Sequence, residues 1–206
     1  MTHTLYRQGT ESNLSGDYVV LAMSAKGINE KGSAQKMKRF LTMGLSHTPV
    51  NYGDMKTGNS LTPSLDAIMD GIKDTSIVHL VYTTKEQVTA FLKELKKADL
   101  GLSVVVSGLI GEAKHCCKEA GLHQHTVEYS LGIRGRIDKL PGKKILEITT
   151  MCGHHMVASK LVEKMMLEVK RGKKASVEAA LELAKQCCCG VFNTKRAEEL
   201  LEGAKK

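Results

Sequence analysis

Thiols and imidazoles carry most of the reactive chemistry in this chain, and they are unevenly spread. One stretch, Thr149-Thr150-Met151-Cys152-Gly153-His154-His155, sets a thiol, a glycine and two imidazoles side by side. A second, Lys185-Gln186-Cys187-Cys188-Cys189-Gly190, sets three thiols in a row. A thiolate binds soft metals and attacks electrophiles, while an imidazole ligates metals or moves protons. Cys152, Cys187 and Cys189 are therefore the expected metal ligands, with Cys188 beside Cys187 as a further cofactor-binding thiol. His154 and His155 are the expected acid–base groups. Lys26, in Ser24-Ala25-Lys26-Gly27, is the cation expected to hold an anionic substrate.

Three thiolates on a four-iron cluster leave one iron open as a Lewis acid, which suits a lyase or an oxidoreductase. The first expectation is thus an enzyme with a 4Fe-4S iron–sulfur cluster, zinc being the alternative metal. Without metal, Cys152 becomes a nucleophile and a late cysteine its resolving thiol. A third reading is a non-catalytic metal carrier or assembly module.

The spacing from Cys152 to Cys187-Cys188 is similar to the first half of the cysteine pattern in redox domains of the heterodisulfide-reductase type. The second half of that pattern is not present, so membership is not inferred. The chain has no P-loop, no dinucleotide-binding glycine motif, no nucleophile elbow and no His-Glu-x-x-His.

The remaining cysteines read differently. Ile110, Ala113, Cys117 and Ala120 share one helical face, which predicts Cys117 in the core and Cys116 at its flank. The polar stretch 46–63, with His47, Asn51, Tyr52, Asp54, Lys56 and Asn59, reads as a long loop able to cover a substrate.

Something must bring Cys152 and the late cysteines together. Apolar runs rich in β-branched residues predict strands at 17–23, 76–82, 102–106, 126–133 and 144–150. Helical periodicity predicts helices from Ser33 to about Leu45, near 64–72, after Thr84, from about 108 to 121, over 154–169 and 176–188, and after Thr194. Strands alternating with helices predict an α/β fold, with a mostly parallel sheet, helices on its faces and a C-terminal helical hairpin. Cys152 then lies between a strand end and a helix start, where free N–H groups lower a thiol pKa. Two antiparallel helices of similar length return Cys187-Cys188-Cys189 to Cys152. Residues 1–16 read as a polar arm, and 17–206 as a single domain with C-terminal helices from about 154.

Composition bounds the setting. With 206 residues, a chain buries a core without staples. Five of the six cysteines adjoin another, unlike the spread cysteines of a secreted disulfide framework. Together with the lack of a signal-peptide core and of an apolar span, this predicts a cytoplasmic protein with no membrane contact. The net charge of +8 attracts anions, so a small-molecule or anionic substrate is expected. The basic stretch Lys170-Arg171-Gly172-Lys173-Lys174 lacks stacking aromatics, so nucleic acid is not an expected partner. A homo-oligomer remains open.

Overall fold

A computed structural model describes residues 4–204. The chain runs α1 (Glu11–Leu14), β1 (Tyr18–Met23), α2 (Ser33–Leu45), β2 (Asn51–Asp54), β3 (Gly58–Asn59), α3 (Leu65–Gly71), β4 (Ile77–Tyr82), α4 (Lys85–Ala98) and β5 (Ser103–Ser107). Then come α5 (Ile110–Glu119), α6 (Lys143–Thr149), α7 (Ser159–Lys170), α8 (Ser176–Ala184) and α9 (Thr194–Gly203).

The sheet order is β3-β2-β4-β1-β5, and every neighbouring pair is antiparallel. This corrects the expected mostly parallel sheet. The physical reason lies in what a helical crossover fixes. β4 and β5, joined through α4, do run the same way, but β1 lies between them and opposes both. β1 and β2 likewise straddle β4. Two split β-α-β units interlock, so a pattern that fixes strand directions leaves the choice of neighbours open.

β1 reads Tyr-Val-Val-Leu-Ala-Met because both of its faces are covered. Tyr18, Val20 and Ala22 face a layer of α2, α4 and α5 that includes Met37, Phe40, Leu41, Val88 and Phe91. Val19 and Leu21 face a second layer of α6–α9, with Ile148, Val162, Met165, Leu183 and Leu201. Cys152, Cys187 and Cys189 belong to that second layer. α7 and α8 pack together there, so the hairpin exists with helices shorter than expected.

Two expected strands do not form. The stretch 144–150 lies in α6 and its C-cap. Its β-branched residues suggest a strand, but Ile145, Ile148 and, just beyond the stretch, Cys152 are spaced for a helix face, and that period prevails. The stretch 126–133 is exposed and pairs with no strand.

Candidate thiolate site

Cys152 follows a helix, not a strand, and α7 begins only at Ser159. The turn after α6 continues the helical pattern briefly, with Met151 N–H donating to Ile148 and Cys152 N–H to Thr149. His155 then takes a left-handed φ of 57°, which breaks the expected helix at its first turn. The helix-dipole argument for Cys152 is therefore replaced by local donors.

The late cysteines also leave their helix early. α8 ends at Ala184, so Cys187, Cys188 and Cys189 occupy the turn before α9 rather than a helical stripe. Asn59 on β3 fixes this turn from below, its amide donating to the Ala184 and Cys187 carbonyls at 3.2 and 2.8 Å. The turn also lies against β2. A Cβ on Gly190, whose φ is 79°, would come within 2.5 Å of the Tyr52 carbonyl. A Cβ on Gly53 would come within 3.0 Å of the Cys189 carbonyl. Only glycine permits this approach.

These two turns bring four groups into a row. Cys187 lies beside Cys152 and favours its thiolate. Cys187 Sγ is 3.9 Å from Cys189 Sγ, and Cys189 Sγ is 3.7 Å from His154 Nδ1. The three sulfurs are buried, whereas His154 is exposed. Cys188 is exposed.

The electrostatics follow from the contacts. The hydrogen bond from Cys187 lowers Cys152 to about 5, against the cost of burial, with help from the Met156 and His154 N–H groups. Cys187 is also the main cause that lowers Cys189 to about 7, with the Val191 N–H and His154 assisting. Cys187 itself is pushed far up, because it keeps the proton its neighbours share. Among the described residues, no group of three or more His, Cys, Asp or Glu encloses a metal-binding point as the side chains stand.

Other expected residues lie elsewhere. His155 is exposed, with its ring 6.4 Å from that of Tyr6. Lys26 is exposed in the loop after β1. The clamp beside the cysteine turns is at the other end of that strand, where Arg7 binds Asp17, the Val191 carbonyl and, at 3.4 Å, the Met151 carbonyl. The stretch 46–63 supplies β2, β3 and two buried asparagines, Asn59 and Asn51, the latter donating to the Phe192 carbonyl at 2.9 Å. His47 pairs with Glu94 at 2.8 Å.

The early pair is reversed. Cys116 is fully buried in the first layer and donates to the Lys85 carbonyl at 3.6 Å, while Cys117 is half-buried. Burial pushes both thiols up. The residue that sequence reasoning passed over is His79. It is fully buried on β4, opposite Gly53 and Leu21, on the sheet face that carries the cysteines. Its signal is a lone histidine inside an otherwise apolar strand, Ile-Val-His-Leu-Val-Tyr.

Comparison with known protein families, curated proteins and solved structures found no match.

Proposed function

We propose that Cys152, Cys187 and Cys189 bind a single metal ion, with His154 at its solvent-facing position. The observation that carries this reading is the row of buried thiols, with Cys187 Sγ 3.9 Å from Cys189 Sγ and Cys189 Sγ 3.7 Å from His154 Nδ1. Cys152 and Cys189 are both inclined to be thiolates near neutral pH, and the one Cys187 proton satisfies only one of them at a time. Buried anions without a counter-charge are costly, and a cation between them removes that cost.

The spacing favours one ion over a cluster. Two thiolates on one tetrahedral zinc stand about 3.8 Å apart, given a Zn–S bond of about 2.3 Å. Cys187 and Cys189 stand at 3.9 Å. The thiolates of an iron–sulfur cluster sit on different irons and stand further apart. Closing the row around a point needs rotation of the Cys152 side chain and of the exposed His154 ring. Binding then releases the Cys187 proton. Because His154 is the only exposed member, its position is where a small anionic substrate reaches the ion and is polarised.

A second reading rests on the same contacts without metal. The Cys152 thiolate attacks a peroxide oxygen and the O–O bond breaks. Cys187 then displaces water from the sulfenic acid to give a disulfide.

The deciding experiment is the metal content of protein purified without oxygen. About one zinc per chain is expected, lost in Cys152→Ser and Cys189→Ser and retained in Cys116→Ser. A brown, iron- and sulfide-containing protein would replace the single ion by a cluster. Metal-free protein that forms a Cys152–Cys187 disulfide with peroxide would establish the second reading instead.

A further inference from the structure

We propose that the chain forms a homodimer by strand exchange, in which 126–131 of each copy adds to the open β5 edge of the other.

The first observation is the edge itself. β5 is the outermost strand, and its sequence, Ser-Val-Val-Val-Ser, carries no charge and no proline. Natural sheets guard such edges, because unpaired N–H and C=O groups recruit another strand. The opposite edge, β3, is kept to two residues, Gly58–Asn59. β5 has neither safeguard, and all of its residues are half-exposed.

The second observation is an unpaired segment whose sequence alternates as a strand does. The segment between α5 and α6 is exposed throughout 123–140. Within it, Val127, Tyr129 and Leu131 alternate with Thr126, Glu128 and Ser130. That period of two places the apolar residues on one face and the polar ones on the other, as in a half-buried edge strand. Val127, Tyr129 and Leu131 are 48%, 63% and 76% exposed. Three large side chains in register on one face form a surface that calls for a partner.

The third observation says which partner. Residues 122–128 do not pair with their own β5. They line the far wall of a cleft of about 640 Å³ whose near wall is 103–107. The edge and the arm thus face one cleft with no backbone hydrogen bond between them. Every copy carries one free edge and one free strand, so a two-fold exchange satisfies both with a single kind of contact. The backbone bonds of the added strand supply affinity, and its alternating side chains set the register.

The test is the mass in solution under reducing conditions, with hydrogen exchange at β5. The wild type should sediment at twice the chain mass of 22.5 kDa, with slowly exchanging amides at 103–107. A Tyr129→Ser/Leu131→Lys double variant changes only exposed side chains, so its fold is not at risk. It should sediment as a single chain and lose the β5 protection. A monomeric wild type overturns the proposal, and one with protected β5 amides would mean that the arm closes on its own edge. A dimer that survives the double variant, or one whose β5 amides exchange freely, overturns it as well. None of these outcomes depends on the metal reading, because the cysteines are unchanged.

Discussion

A thiol next to another thiol need not titrate like one alone, and this chain contains both situations. Cys116 and Cys117 are raised by burial, while Cys152 and Cys189 are lowered because Cys187 between them favours their thiolates. Metal-free wild type should therefore gain ultraviolet thiolate absorbance in steps near pH 5 and pH 7. Cys187→Ala should move the Cys152 step up toward the ordinary thiol value of 9.0. A single rise near that value in the wild type would show that the thiols do not share a proton. The folded pKa of Cys152 is depressed, so its contribution to stability is full above the unfolded thiol pKa and lost as pH falls toward 5. The sequence made the cysteines visible as candidates because a triplet of one rare residue stands out. It could not show which of the three faces inward. Cys188 is the exposed one, and that follows from a turn rather than from a helical stripe.

Among elements, those with one strong period were legible. β1, β4, β5, α2 and α4 lie where apolar spacing predicts them. α6 was misread because its residue types favour a strand while its spacing favours a helix. The neighbour order of the sheet was not legible, since it depends on tertiary choice rather than local pattern. The role of β3 was hidden too, because a lone asparagine in a polar stretch looks like loop chemistry. Asn59 is fully buried and fixes the cysteine turn through two carbonyls. Asn59→Ala leaves those acceptors unpaired and should cost about 1–3 kcal/mol in denaturant unfolding. The same variant should loosen the Cys187–Cys189 contact and raise the Cys189 titration step. An unchanged unfolding midpoint would show that the turn is held by its glycine packing instead.

At the scale of the whole molecule, the N-terminal segment and α9 are tied to the start of β1 through one buried carboxylate. Burial pushes Asp17 up, but Arg7 and Arg196 beside it outweigh that and hold it below the usual carboxylate range. Arg196 on α9 reaches Asp17 at 2.9 Å, and Asn193 donates to it at 3.0 Å. Asp17→Asn leaves a guanidinium only 2% exposed without its counter-charge, a loss of about 3–5 kcal/mol. Because the folded pKa of Asp17 is depressed, its stabilisation is present above the unfolded value of about 3.9 and lost as pH falls below it. Acid should thus lower the unfolding midpoint of the wild type more than that of Asp17→Asn, and equal acid sensitivity would remove the carboxylate from this role. The layered order also has a consequence for synthesis. The first layer and all strands are complete by residue 120, but the residues that cover Val19, Leu21 and Val81 extend from 148 to 201. On a translating ribosome the nascent sheet thus keeps one naked apolar face while the rest of the chain emerges, for on the order of ten seconds at about 5–20 residues per second. Chaperones that recognise greasy surface have that interval in which to bind, and a stalled ribosome would leave behind a fragment prone to aggregate.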